Sequence, residues 1–512
     1  MRSSAIRFHR VMVLRGMLGA LAAALLICSQ GTNAAAAGDP QDQVTKNFEK
    51  TVTLSAKQGV SVDNRFGRVH VTGAAGSNAK ISASIRVQAG SQSEAQSFAD
   101  KIQIEVREDS DGVHVKTIYP EEIRRWFSGR RASYSVDYEV SMPPDAPLWL
   151  RNDFGDTDIS GVHGWAQVEN GHGAMNVRDA GATKLLNSFG RIDVAGASGN
   201  CDVTNNNGAV TVSGVKGTLS IRNRFGEIKV TQIGGATTIS GGNGAVDVTN
   251  VTGNADITNS FGSVSAKTIT GDLSVRNSNG KIDASDISKN ANLATSFGEV
   301  DVERVGGTLT VDDSNGEVQA TDVSGFFTAH SSFGKVEATN LRQGAKVETG
   351  NGNISLTNVG GDVYAKTSFG GIQVQNLKGN LTARDSNGSV TAHAVQGDAT
   401  VDTSFSGVTL AEIGGKIQVN DQNGGIDVSA QQSSGCKDIS LRTSFSHILV
   451  HVPSTAGYKL TARTSFGHIS SDLPVTSTGV LGQDSLNGTI GNGACTMDLS
   501  NSNGNIQISK VP

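Results

Sequence analysis

Apolar and polar residues alternate in steps of two along most of this chain, and the alternation restarts at a fixed interval. After Phe261, Val264 and Ala266 are flanked by polar residues, followed by Ile269, Gly271, Leu273 and Val275. After Asn279 the same places hold Ile282, Ala284, Ile287, Ala291 and Leu293. A spacing of two is strand spacing, and it occurs twice per unit with an interruption near the Gly. The i, i+3, i+4 pattern of a helix is missing from this stretch. The pattern predicts two or three short strands per unit, each with one apolar and one polar face.

The unit length follows from its markers. Phe189, Phe225, Phe261, Phe297, Phe333, Phe369 and Phe405 are spaced 36 residues apart, and all but the last are followed by Gly. Midway between them lie Asn207, Asn243, Asn279, Asn315, Asn351, Asn387 and Asn423, each followed by Gly and again 36 apart. The underlying repeat is therefore 18 residues, with Phe and Asn alternating at one position. A unit this short cannot bury its own apolar face, but stacked copies can. Because no insertion interrupts the array, coiling with parallel strands is expected rather than separate hairpins. The predicted fold is an all-β, single-stranded parallel β-helix, a solenoid. About twenty rungs at ~4.8 Å give a rod on the order of 100 Å long.

The Phe-Gly and Asn-Gly dipeptides mark a corner, since Gly and Asn tolerate left-handed backbone. Two residues earlier stand Asn277, Thr295, Asp313, Thr367, Asp385 and Thr403, a column of small polar side chains able to hydrogen-bond along the stack. The Phe residues have two readings. In the simpler one each ring covers the apolar end of the interior. In the other the seven rings form an exposed stripe at ~10 Å spacing, a candidate binding surface.

The ends depart from the rule. Residues 1–37 read as a signal peptide: Arg2, Arg7, Arg10 and Arg15 precede an apolar run from Gly16 to Ile27, and Ala35, Ala36 and Ala37 offer a cleavage site. Cys28 raises lipidation, although Ile27 stands where that signal wants a small residue. Residues 38–148 are expected to form an α+β N-terminal cap. It contains an isolated corner at Arg65-Phe66-Gly67 and one helix within Ser91 to Ile102. The regular solenoid occupies 149–430. In 431–512 the register slips: Ser429 to Asp438 is a polar insertion, and Phe445 and Phe466 are 21 apart. An irregular C-terminal solenoid and cap is expected there.

Composition narrows the function. Gly is abundant (63) while Pro is scarce (8), which fits frequent identical turns and neither collagen nor disorder. The net charge of −5 implies no steering toward nucleic acid. Cys201, Cys436 and Cys495 do not lie one repeat apart, so stacking does not bring them together and no disulfide framework is implied; the one pairing left open is Cys436 with Cys495, where the repeat becomes irregular. The acids Asp283, Asp286, Asp301 and Asp322 are scattered singly. Asp312-Asp313, Asp385 and Asp421 fall near one corner column, but two rungs is ~10 Å, too far for an acid–base pair. They read as solvated corner residues. His447 and His451 lack zinc-site spacing. No catalytic, metal or cofactor site is expected. The basic cluster Arg124, Arg125, Arg130 and Arg131 around Trp126 and Phe127 follows Glu121-Glu122 and reads as a self-neutralised loop.

With these rungs and the Val452-Pro453 step, the chain resembles the adhesin-like family of exported bacterial β-strand-repeat proteins of the DUF4097 and head-GIN type, over roughly residues 48–512. The resemblance implies a right-handed β-helix and carries no catalytic or ligand residues with it. The expectation is a non-catalytic, exported protein, periplasmic, cell-surface or secreted. It would present one elongated face to an envelope polymer, glycan or protein, with no transmembrane span in the mature chain. An envelope spacer without a specific ligand and a carbohydrate-active enzyme are the alternatives.

Overall fold

The computed structural model describes residues 42–120, 132–432, 435–477 and 482–511. The signal peptide read over residues 1–37, with Cys28, and the basic cluster Arg124, Arg125, Arg130 and Arg131 lie outside the described residues. The chain is 64% strand and forms a β-solenoid of about 17 parallel-stacked turns, against the roughly twenty expected. At ~4.8 Å per turn the stack is ~80 Å long.

Each turn contributes two strands, one to each of two facing sheets. In one turn these are Leu273–Asn279 and Ile282–Ile287. Leu273 and Val275 point inward from the first strand, and Ile282, Ala284 and Ile287 from the second. Ala284 and Ile287 are three apart yet both buried, because Asp286 is left-handed (φ 58°) and resets the alternation. The same conformation recurs every 18 residues from Gln232 to Glu412. The register is strict: Val264 pairs with Ile282 and Ile282 with Val300, so identical places stack without slip.

At the N-terminal end the isolated corner expected at Arg65-Phe66-Gly67 is part of the stack. Gly59–Phe66 pairs in parallel with Leu148–Phe154, setting Phe66 beside Phe154. Val69–Gly73 pairs with Thr157–Ser160 and with Ser133–Met142. Beyond these, the strands turn antiparallel: Asn78–Ala89 pairs with both Ser133–Met142 and Asp42–Thr53. The helix Gln92–Lys101 packs Ala95, Phe98 and Ala99 inward, and the Ser91 hydroxyl accepts from the Glu94 N–H at 3.3 Å. Antiparallel strands and a helix cover an edge that would otherwise be open for pairing.

The C-terminal end departs from chain order. Ile439–Arg442 and Tyr458–Arg463 belong to successive passes of the chain, but they do not pair with each other. The last segment, Cys495–Ser500, lies between them and is parallel to both. In the other sheet Ile506–Lys510 likewise separates Ile448–Val452 from Ile469–Ser471. The intervening Ser485–Ile490 covers Tyr458–Arg463 as an antiparallel strand.

This inserted turn corrects the reading of the cysteines. Cys436 and Cys495, 59 residues apart, form a disulfide with Cα atoms 5.9 Å apart. Stacking in chain order could not bring them together; insertion does, because Ile439 and Met497 become lateral neighbours. Cys201 is free and buried. Burial pushes its thiol up to about 11, and it accepts a hydrogen bond from the Thr183 hydroxyl at 3.3 Å.

Candidate functional site

The corner that carries the Phe/Asn alternation is built from the inside out. Asn187, Asn205, Asn223, Asn259 and Asn277 are buried within it. Each amide nitrogen donates to backbone carbonyls of two successive turns. Asn205 Nδ2 reaches the carbonyls of Gly190 and Gly208 at 3.1 Å each, and Asn277 Nδ2 those of Gly262 and Gly280 at 2.9 and 3.0 Å. The expected polar column therefore exists, but it bonds side chain to backbone more than side chain to side chain.

From Thr295 to Asp421 the column carries Thr, Asp and Ser, most of which accept from backbone N–H groups of the turn. The Thr349 and Thr367 hydroxyls also donate to the carbonyls of Gly334 and Gly352 at 3.4 and 3.1 Å. The Thr349 hydroxyl accepts from the Gly352 N–H at 3.1 Å, and the Thr367 hydroxyl from that of Gly370 at 3.2 Å. Asp313 accepts from the N–H groups of Gly316 and Asn315 at 2.6 and 3.4 Å. Asp313, Asp385 and Asp421 are thus buried and turned inward, not solvated as the sequence suggested. Backbone N–H groups at this turn need an acceptor in reach, and the carboxylate supplies it.

Burial raises the pKa of all three carboxyls above the ordinary Asp value, and the backbone donors oppose this less strongly. A raised folded pKa means that the protonated form is favoured by the fold. Each group therefore detracts from stability at neutral pH and detracts less as the pH falls through its folded pKa. Replacing all three with Thr, already present at Thr349 and Thr367, is expected to raise Tm at neutral pH. It should also shrink the difference between Tm at neutral and mildly acidic pH; equal pH profiles for the two proteins would refute the assignment.

Outside this buried column stand the rings. Phe189, Phe225, Phe261, Phe297, Phe333, Phe369 and Phe405 are 41% to 67% exposed. The simpler reading, in which they covered the interior, is thereby overturned: the buried Asn, Thr and Asp side chains close the corner, and the rings are left outside. Through Phe297 the strand register places each Phe directly beside the Asn of the next turn, as in Phe225 beside Asn243 and Asn243 beside Phe261. Several of the Asn amides are pinned down. Asn315, Asn387 and Asn423 each donate to the carbonyl of the Ser one turn back, at 2.9, 3.0 and 3.0 Å. Large and small thus alternate along the outer column, with the small members held flat.

The inserted turn continues this alternation where the sequence loses it. Asn503 bridges to both Phe445 and Phe466. In space the column therefore runs Phe405, Asn423, Phe445, Asn503, Phe466, although Phe445 and Phe466 are neighbours in chain order. At the other end the rings close up. Phe66, Phe154, His172 and Phe189 stack in succession with centroids 5.2, 4.6 and 4.8 Å apart and planes within 11° of parallel. These rings present their faces along the rod and their edges to solvent.

A second ladder escaped the sequence reading. At the left-handed corner, Asn340 donates to Asp322 at 2.9 Å, Asn358 to Asn340 at 3.0 Å and Asn376 to Asn358 at 2.9 Å. Its signal was Asn at three consecutive 18-residue places, where left-handed backbone is needed. Arg304 pairs with Asp286 in the same column at 2.6 Å. His451 shares a hydrogen bond of 2.7 Å with Ser509 and lies 3.5 Å from Asp427. Ser509 is 8% exposed. Among the described residues no three His, Cys, Asp or Glu side chains group to hold a metal ion, and no helix is long and apolar enough to cross a membrane.

No family model matches the chain. No curated protein is similar to it. Two solved structures are similar. A candidate cell adhesion protein from Clostridium sporogenes ATCC 15579 is 8% identical, with 91% of this chain and 100% of that one covered, at a TM-score of 0.16. A candidate lipid binding protein from Parabacteroides distasonis ATCC 8503 is 9% identical over 70% of this chain and 96% of that one, at a TM-score of 0.15.

Proposed function

We propose that this chain is a non-catalytic, exported, adhesin-like interaction protein whose contact surface is the Phe/Asn column. The observation that carries the reading is the exposure of nine rings, from Phe189 to Phe466, on one line of a rigid rod. Nine exposed rings repeating on one line are not singly scattered surface residues, and such a line reads as an association site. A spacer without a ligand has no use for them: Asn at every turn would build the same corner, as Asn207 and Asn243 already do. Export is supported by the Cys436–Cys495 disulfide, a bond typical of oxidising compartments, and by the basic and apolar leader in the sequence.

The test is binding to glycan arrays and to fractionated envelope, comparing wild type with Phe261→Ser/Phe297→Ser/Phe333→Ser. A loss of tenfold or more in the variant is expected, with unchanged Tm because the rings are outside the core. Equal binding by both proteins would remove the column as the contact surface; binding by neither would exclude glycans and envelope components as its partner.

A further inference from the structure

The shape of the column says more about its partner than its polarity does. In the stack from Phe66 to Phe189 the ring faces point along the rod. The backbone register that places those rings continues through Phe297. A sugar chain lying along that stack would meet ring edges. From Phe189 onward, exposed rings alternating with short Asn side chains form knobs and holes. Both recur every two turns, offset from each other by one turn.

We infer that the partner of this column is a second copy of the same chain, docked column to column in an antiparallel homodimer. This rests on the reading of the column as a contact surface. A surface whose knobs and holes share one period fits any surface with that same period, and a second copy has it by construction. Symmetry then selects the orientation. A dyad along the rod sets every Phe against the same Phe, ring against ring. A dyad across the rod, placed midway between a Phe turn and an Asn turn, sets Phe against Asn on both copies along the alternating array, and the contact closes as an isologous dimer.

Charge selects the position of the dyad. Beside the column, in consecutive turns, stand Lys281, Glu299, Glu317 and Lys335. A dyad between Asn315 and Phe333 brings Glu317 of each copy opposite Lys335 of the other. One turn back, between Phe297 and Asn315, the dyad would oppose Lys281 to Lys335 and Glu299 to Glu317. The favourable position is also within one turn of the middle of the column that runs from Phe189 to Phe466, so nearly all of it is used. The nine rings are 41% to 76% exposed. If each buries on the order of 100 Å², half of a typical aromatic side chain, each copy contributes roughly 900 Å². A stable interface needs about 800 Å² per partner.

Sedimentation equilibrium of the full chain, with three variants, tests this. Wild type is expected to be a dimer, and Phe261→Asn/Phe297→Asn/Phe333→Asn to dissociate with a Kd at least tenfold higher. Asn279→Phe/Asn315→Phe/Asn351→Phe fills holes and adds apolar surface; it too should weaken the dimer at least tenfold. Tighter association of this variant would mean general stickiness and overturn the inference. Both sets exchange residues that the corner already accepts, so folding is preserved. Spin labels on Asn315→Cys should lie close across the dimer and those on Asn207→Cys far apart, on the order of 60 Å for thirteen turns. Short distances at both positions would overturn the antiparallel arrangement. A monomer at all concentrations that still binds envelope fractions through its rings would overturn self-pairing and leave the contact surface standing. A monomer whose rings affect nothing would overturn both.

Discussion

A chain ending after Ala494 is expected to lose its C-terminal turns as a unit while the rest of the rod stays folded. Residues 495–511 supply the turn that lies between Ile439–Arg442 and Tyr458–Arg463. Without it those strands are left two spacings apart, ~10 Å, too far for a ladder. The Ser446 and Ile448 N–H groups lose their acceptors, the carbonyls of Asn503 and Asn505 at 3.0 and 2.9 Å. Met497, Leu499, Ile506 and Ile508 are fully buried, and each contributes roughly 2 kcal/mol. The disulfide adds to this. Closing a loop of 59 residues between Cys436 and Cys495 stabilises by about 4 kcal/mol in the chain-entropy account. Cys495→Ser is therefore expected to loosen the inserted turn, and truncation to unfold everything from about residue 439. In a solenoid each turn contacts only its neighbours, so the damage should stay local. Hydrogen exchange checks this: protection should collapse over 439–477 in the truncated chain and persist before about residue 400. Unchanged protection at the C-terminal end would show that the inserted turn does not hold it.

Gly226→Ala is expected to be strongly destabilising although it adds a single methyl. Gly226 sits at the corner after Phe225 with φ +124°, and a Cβ there would lie 2.3 Å from the carbonyl oxygen of Gly208. The corner Gly of each neighbouring turn is in the same position, with Gly208 facing Gly190 at 2.1 Å and Gly244 facing Gly226 at 2.3 Å. Moving the carbonyl away would break its bond with Asn223 Nδ2 at 3.0 Å and lift one turn off the next. Strain of this backbone costs roughly 1–3 kcal/mol in a non-glycine residue. The clash comes on top of that, so a loss of roughly 4 kcal/mol or more is expected. Gly76→Ala is the control, because Gly76 also has positive φ (+118°) but nothing within 4 Å. Urea unfolding should show a much larger loss for Gly226→Ala than for Gly76→Ala. Similar losses would mean that φ alone, and not turn-to-turn approach, sets the demand for Gly.

The stacked fold was legible because its cause is local and repeated. Val264 and Ala266, then Ile282 and Ala284, declare strands with one inward face, and only stacking buries it. The exposure of Phe261 was not legible. Counting outward from Val264 gives one answer and counting from Ile257 the other, because the corner between them breaks the alternation. The buried Asn259 decides the matter by filling the inside of the corner, where its amide nitrogen donates to the carbonyls of Gly244 and Gly262 at 3.2 and 3.4 Å. The fate of Asp313, Asp385 and Asp421 was hidden for the same reason: a carboxyl beside a turn reads as solvated until the backbone N–H groups that claim it are in place.

By itself the sequence determined the repeat, the strand faces, the parallel stacking and the candidate column, since all follow from the spacing of residues within 18 positions. Only the tertiary structure decided which way the rings point, where the corner acids go, and that the last turn is inserted between two earlier ones. Chain order does not specify neighbours once a segment returns into the stack. Asn503 meets Phe445 and Phe466, and Cys495 meets Cys436, because a free pair of strand edges was open to a segment with matching apolar places. That contact depends on three-dimensional proximity, which no local spacing encodes.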